Sequence, residues 1–429
     1  MFWRLIYNLL MPVGFLFFLP GVLCKYRNRG GWKETFAERF GRFTPRRIEE
    51  LKAFHGAIWI HAVSVGESVV ALSLIDRYRK SHPERKFVIS TTTTTGQDLA
   101  RSKAPENCAV IFCPIDFWWM VRRTFNVLQP SMLVIFETEL WPNMIAEAHK
   151  RRIPVAVVNG RMSDHSSRGY RRARTFFAPI LEMLDLISVQ SEADAARYRA
   201  VAPRANVVVS GNLKFDQTPP ENLEAADLDA YFGSGKRIVL LAASTHPGEE
   251  ALISRSFLEL KKRHHSLKLV IVPRHAERGA DIADILTECN LSFVRRSNAS
   301  CAEEPVDALI ADTTGEMFRF LAAADIVIMG KSLAGQDEGH NLIEPALLGK
   351  PIVTGSVLRN FRFILQILKD AGAVATVAKD AELTGVLDTL VSSPEKRREL
   401  GEKAAAAIGV HRGAAIKTIN LLENLLAEK

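Results

Sequence analysis

Cysteine is scarce in this chain. Five occur in 429 residues, at Cys24, Cys108, Cys113, Cys289 and Cys301, and no two form a CxxC pair. An odd, scattered set excludes a disulfide framework and a thiolate zinc site, and fits a reducing cytosol. No His/Cys cluster has metal-ligand spacing, so no metal is expected. GxxxxGK[ST] is missing, and so is GxGxxG after the first apolar run, which argues against P-loop ATPases and dinucleotide enzymes. The GxSxG elbow of the α/β hydrolases is missing too. Charged residues reach only an average 24%, against 47% hydrophobic, so the chain is not expected to be disordered.

What charge there is leans one way. The net charge is +8 and the pI about 9.2, which calls for an anionic partner: nucleic acid, phospholipid headgroups or a phosphorylated substrate. Nucleic acid is disfavoured because no recognisable binding module is present and part of the excess charge flanks an apolar segment. That segment, Leu5 to Cys24, is almost wholly apolar, broken by Asn8, Pro12, Gly14 and Pro20. It is about long enough to cross a bilayer core of roughly 30 Å, or to lie tilted at its surface. Lys25, Arg27 and Arg29 follow at once, so the bulk of the chain should stay on the cytoplasmic side. No small-x-small cleavage site follows, which favours an uncleaved anchor over a signal peptide.

Beyond the anchor, short apolar runs alternate with helical patterns. The runs are Ala57–Ala62, Lys86–Thr91, Ala109–Cys113, Met132–Phe136, Val155–Asn159, Leu186–Gln190 and Val207–Ser210. After the linker-like Phe215–Pro220, the pattern restarts with Arg237–Ala243, Leu267–Pro273, Ala308–Asp312, Ile326–Met329, Pro351–Thr354 and Ala373–Val377. Continuous apolar runs suit parallel strands covered on both faces. Two doubly wound α/β halves follow, expected to face each other across a cleft. The expected division is an anchor at 1–24, a first domain at 25–214 and a second at 215–429. The final helix is free to pack on either half.

Ligands in such sheets bind beyond the carboxyl ends of the strands, so the loops there carry the chemistry. In the second half, Gly339-His-Asn-Leu-Ile-Glu-Pro345 joins a strand to a helix expected to begin near Asn341. Asn341 would cap it and Glu344 would complete a capping box; such a junction is a ready anion site, or simply a well-capped helix. Ser244 and Thr245, followed by His246, offer hydroxyls at another strand end. Arg274 and His275 follow the next strand, and arginine forks well onto phosphate. At Asp312-Thr-Thr-Gly-Glu-Met317, backbone N–H groups of Gly315, Glu316 and Met317 could meet a base or ribose. Each loop also reads as a plain cap or surface turn; four polar loops at one sheet's strand ends make the stronger case for a nucleotide. In the first half, Glu67 of His61-Ala-Val-Ser-Val-Gly-Glu67 would stand at a helix N-terminus, as a general base or a dipole-stabilising glutamate. Thr91–Gly96 is a hydroxyl-rich loop for a sugar, a phosphate or a cap. Glu137 and Glu139 of Phe136-Glu-Thr-Glu-Leu-Trp-Pro-Asn143 share one strand face by period, if the strand runs that far. Lys214, beside the linker, is a cation for a leaving phosphate or a surface lysine.

Together the motifs SVGE (64–67), ETELWPN (137–143), GNLKFD (211–216), STHPGEE (244–250), PRHAER (273–278) and GHNLIEP (339–345) resemble one family over nearly the whole chain: the membrane-anchored Kdo (3-deoxy-D-manno-octulosonic acid) transferases of lipopolysaccharide assembly. The resemblance implies a two-domain GT-B glycosyltransferase moving Kdo from CMP-Kdo to the lipid A precursor, lipid IVA. It implies no metal and no cofactor beyond the donor substrate, with phospholipids of the inner membrane as a further partner. It places the general base on Glu67 and transition-state support on Glu137 and Lys214. It places CMP contacts on Arg274, His275, Gly315, Glu316, Met317, Asn341, Leu342, Ile343 and Glu344. The chain departs from the family pattern at Gly330-Lys331, where two glycines are usual, and at Glu338-Gly339-His340-Asn341, where Gly-Gly-His-Asn is usual. The alternatives are another GT-B enzyme using a UDP-sugar, or a non-catalytic membrane scaffold for anionic lipid.

Overall fold

The computed structural model describes residues 5–12, 14, 37–220 and 222–428. Of the expected anchor at 1–24, everything but 5–12 and 14 lies outside them. Among the described residues no helix is long and apolar enough to cross a membrane.

The chain forms two compact units, Met1–Asp216 with Arg412–Lys429, and Gln217–His411. The first holds a seven-stranded sheet of β1 (Ile58–His61), β2 (Phe87–Thr91), β3 (Cys108–Phe112), β4 (Met132–Phe136), β5 (Val155–Gly160), β6 (Leu186–Val189) and β7 (Val207–Val209). Its order is β3-β2-β1-β4-β5-β6-β7, every pair parallel. The sequence dictates this architecture. Trp59, Val88, Ile111, Leu133 and Val157 bury one face, while Ile58, Ile60, Ile89, Val134 and Ala156 bury the other. A strand apolar on both sides is stable only between two helical layers.

The second unit holds β8 (Ile238–Thr245), β9 (Leu267–Pro273), β10 (Phe293–Arg295), β11 (Ala308–Ile310), β12 (Ile326–Met329), β13 (Ile352–Gly355) and β14 (Ala375–Val377). Its order is β10-β11-β9-β8-β12-β13-β14, again parallel throughout. Thirteen of the fourteen strands are the apolar runs read from the sequence. The exception, β10, is an edge strand of three half-buried residues, too short to stand out.

In each sheet the strand order reverses once near the middle, between β1 and β4 and between β8 and β12. Chain segments leave such a pair in opposite directions and open a crevice above its carboxyl ends. The segments after β1 and β4 carry Glu67 and Glu137; the end of β8 and the loop beyond it carry Ser244 to Glu249, and the loop after β12 carries Gly330 onward.

The last helix, Ala414–Ala427, packs on the first unit, burying Ala415, Ile419 and Leu422 in the core that holds Ile60 and Val134. Asp216 fastens it. This buried carboxylate accepts the Gly413 and Ala415 N–H groups, both at 2.7 Å, and an Arg77 guanidinium nitrogen at 3.2 Å. Losing hydrogen bonds to a buried charge costs about 1.5–3 kcal/mol each. Asp216→Ala is therefore expected to lower stability by several kcal/mol and expose the last helix. Urea unfolding and limited proteolysis between residues 411 and 416 would measure both effects.

Candidate active site

In the first unit, Ser64 caps the helix Val65–Ser81: its hydroxyl oxygen accepts the Glu67 N–H at 3.2 Å. The same hydroxyl donates to Glu67 Oε1 at 2.8 Å, and the Val63 N–H donates to Oε2 at 2.9 Å. The Glu67 carboxyl is thus clamped at the positive end of a long helix, inside the β1/β4 crevice. Burial pushes its pKa above the usual carboxylate range, outweighing the hydrogen bonds that pull it down; the Glu137 charge adds to the rise.

Glu137 follows β4 directly, and here the structure corrects the sequence reading. The strand ends at Phe136 and Glu137 turns into the left-handed region at φ +55°, so Glu137 and Glu139 do not share a strand face. The turn throws both carboxyls into the loop. Glu137 Oε1 lies 3.6 Å from Lys214 Nζ. Burial pushes the Glu139 carboxyl up, with smaller contributions from Glu67 and Glu137. Lys214 is set by the end of β5. Asn159, buried at φ +54°, accepts the Leu213 N–H at 3.0 Å, and Asn212 Oδ1 accepts the Lys214 N–H at 3.0 Å. Beside this group His61 ends β1, fully buried, edge-on to Trp141 of the Glu137–Asn143 motif, its pKa driven down to about 4 by burial. In the loop after β2, Thr93 caps Gly96 and Thr91 donates to the buried Gln97, so at least these two hydroxyls serve the fold.

The second unit is organised by a residue the sequence reading passed over. Glu249 is fully buried. Its Oε2 accepts the N–H groups of His246 (2.9 Å) and Lys331 (2.8 Å), and its Oε1 those of Ser332 (2.9 Å) and Leu333 (3.0 Å). One carboxylate thereby ties the loop after β8 to the loop after β12. The two backbones touch here. Ser244 turns at φ +57°, and a Cβ on Gly330 would lie 2.3 Å from its carbonyl oxygen, so only glycine fits. Thr245 is buried and, among the described residues, its hydroxyl has no hydrogen-bond partner. The His246 and His340 rings stack at 5.2 Å with their Nε2 atoms 3.0 Å apart, and His275 stands edge-on to His246 at 6.1 Å. Burial and neighbouring cations, Arg274 and Lys331 among them, push His340 down to about 4. Arg274 and His275 are exposed, and the Arg274 charge reaches both His340 and the buried side of Glu344.

The Gly339–Pro345 junction needs a second correction. The helix begins at Ile343, not near Asn341, and runs only Ile343–Leu347. No capping box forms: Asn341 Oδ1 accepts the Ile343 N–H at 3.1 Å, while Asn341 Nδ2 donates to Glu344 Oε1 at 3.2 Å. Pro345, which has no N–H, stands inside the single turn. Leu342 and Ile343 bury their side chains in the core, so only their backbone is left for a ligand. Gly315 holds φ +87° just ahead of the helix Met317–Ala323. The Glu316 side chain is fully committed to Arg296 (2.7 and 2.8 Å) and Thr313, which hold its carboxyl down at about 2.

Several motif residues prove to bind one another. Arg278 grips the fully buried Glu250 with two nitrogens, at 2.5 and 3.3 Å. Asp116 caps the helix Pro142–Lys150 by accepting the Asn143 and Met144 N–H groups, both at 2.9 Å. Tyr7 and Asn8 join this knot through Asp116 and Asn143. Among the described residues no group of three or more His, Cys, Asp or Glu side chains could hold a metal ion.

Two doubly wound parallel sheets with polar loops at their switch points define the GT-B fold of glycosyltransferases. A glycosyltransferase from Rickettsia africae matches 87% of this chain and all of its own at a TM-score of 0.58, with 11% identity. A UDP-GlcNAc 2-epimerase from Neisseria meningitidis matches 86% and all of its own at 0.56, with 12% identity. Likeness at that level carries the fold and leaves the activity open. Sequence relatives narrow it. Residues 34–217 match the family model described as 3-deoxy-D-manno-octulosonic-acid transferase. The enzyme of that name from Haemophilus influenzae is 30% identical over 99% of both chains, and that from Bordetella pertussis 32% identical over 93% of this chain and 94% of its own. The chain belongs to the 3-deoxy-D-manno-octulosonic acid transferase family, and is a glycosyltransferase.

Proposed function

We propose that this enzyme transfers Kdo from CMP-Kdo to a primary hydroxyl of the lipid A precursor by a single inverting displacement. Glu67 takes the hydroxyl proton, and the freed oxygen attacks the anomeric carbon as the bond to the CMP phosphate breaks. Lys214, held by Glu137, supplies a cation for the charge that builds during transfer. In the second unit Arg274, His275 and the backbone around Gly315–Met317 and Asn341–Glu344 hold the cytidylate, with Ser244, Thr245 and His246 at the phosphate end. The one-turn helix at Ile343 adds little dipole, so the phosphate relies on Arg274 and on individual N–H donors. With the charge met in this way the reaction needs no metal. The apolar segment at 1–24 and its basic flank keep the enzyme at the inner membrane, where the acceptor resides.

The observation that carries this reading is the Glu67 carboxyl. In a chain of this family, it is clamped by Val63 and Ser64 at a strand-switch crevice, its pKa raised, beside a Glu137–Lys214 pair. The test is to incubate the purified enzyme with freshly generated CMP-Kdo and lipid A precursor and weigh the lipid, with UDP-sugars as competing donors. A Kdo-bearing lipid formed from the CMP donor alone supports the proposal. Transfer from a UDP-sugar at comparable rate refutes it.

A further inference from the structure

Lys331 follows Gly330 at the end of β12 and holds φ +59°, a conformation that glycine adopts freely and a lysine does not. Strain kept in a loop at a binding crevice points to a use for the side chain. Its place is well defined. The Lys331 and His246 N–H groups share one oxygen of Glu249, at 2.8 and 2.9 Å, so the two residues are neighbours across the β8/β12 crevice. The Gly339 N–H donates to the Lys331 carbonyl at 2.6 Å and closes the intervening loop into a ring. Across that ring the Lys331 ammonium pairs with Glu338, an exposed carboxylate that the pairing holds below its usual range. The Lys331 charge also reaches the rings of both His246 and His340.

We propose that Lys331 is a donor-phosphate ligand, kept on Glu338 while the crevice is empty and passed to the phosphate when the nucleotide enters. This rests on the reading of the second unit as the CMP-sugar site. An ammonium on a long flexible stem suits such an exchange, since it pairs as a point charge without the fixed fork of arginine. A phosphate that gains charge as the sugar departs attracts it more strongly than the one charge of the bound diester, so the contact strengthens along the reaction.

Isothermal titration of the full-length enzyme with CMP, and with cytidine as the ligand lacking phosphate, tests this. Lys331→Gly places the residue that the backbone favours, so the variant keeps or raises its unfolding temperature. Its CMP dissociation constant is expected to rise about tenfold while cytidine binding stays the same. Glu338→Gln removes the competing carboxylate and should tighten CMP a few-fold. Equal CMP affinity in Lys331→Gly and the unsubstituted chain overturns the proposal alone, as does an equal loss for cytidine, which would make the residue a loop spacer. No CMP binding by the unsubstituted chain overturns the donor-site reading and this proposal with it.

Discussion

Glu67→Gln is expected to lower the rate of sugar transfer by about 10²–10⁴-fold, the usual worth of a positioned general base, and to leave CMP affinity within about twofold. The two effects separate because Glu67 belongs to the first unit, whereas the residues assigned to hold the cytidylate before transfer lie in the second. Glutamine keeps the size of the side chain and one acceptor for Val63 and Ser64, so the helix cap survives in part. Stability offers an independent check. Burial raises the Glu67 pKa in the folded state, so the folded chain binds more protons than the unfolded one between the ordinary carboxylate pKa and the raised one. Stability therefore falls as pH rises through that window and stays lower above it. Removing the ionisable group should leave the neutral-pH unfolding temperature unchanged or raised, and flatten this part of its pH profile. The transfer rate of the parent enzyme should rise with pH across the same window, as Glu67 ionises. Differential scanning calorimetry and a pH–rate profile on both proteins measure these outcomes.

Glu249→Gln is expected to be the most damaging change in the second unit. Each carboxylate oxygen accepts two backbone N–H groups. An amide can satisfy one pair but presents its own N–H groups to the other. A buried donor left without an acceptor costs about 1–3 kcal/mol, so two cost roughly 2–6 kcal/mol. For a unit of this size each kcal/mol is worth about 2–4 °C in unfolding temperature. Because the orphaned donors belong to either His246 and Lys331 or Ser332 and Leu333, the two loops at the β8/β12 crevice should part and CMP affinity should fall by at least about tenfold. Calorimetry and CMP titration of one preparation would show both losses. A variant that keeps its unfolding temperature would mean the carboxylate does not hold these loops together.

The fold was legible because its strands are buried on both faces and so are written as unbroken apolar runs, as at Leu133–Phe136 or Val239–Ala243. The strand Phe293–Arg295 was not, since three half-buried residues ending in an arginine are too short a run to stand out. The loops that carry Glu67, Glu137, Lys214, Arg274 and Asn341 were legible as loops, through their glycines, threonines and prolines after each run. Their internal geometry was not. The left-handed turn at Glu137 is made by a residue with no preference for it, and nothing local announces it. At Asn341 the spacing to Glu344 fitted a capping box, but the asparagine spends its carbonyl on Ile343 and its amide on Glu344, and the helix starts later. Asp216, Glu249, Glu250 and Arg278 were missed as organisers because their partners are remote in the chain. Asp216 holds Ala415, and Glu250 holds Arg278. A single sequence shows a charged residue at such positions and not what it grips.

The most direct test of the account is a single-turnover reaction of enzyme, CMP-Kdo and lipid A precursor, sampled for both CMP and lipid mass. The account predicts that each CMP released is matched by one Kdo gained by the lipid, and that Glu67→Gln binds CMP yet releases almost none in that time. CMP released with no gain in lipid mass, or a Glu67→Gln variant that turns over like its parent, would contradict it.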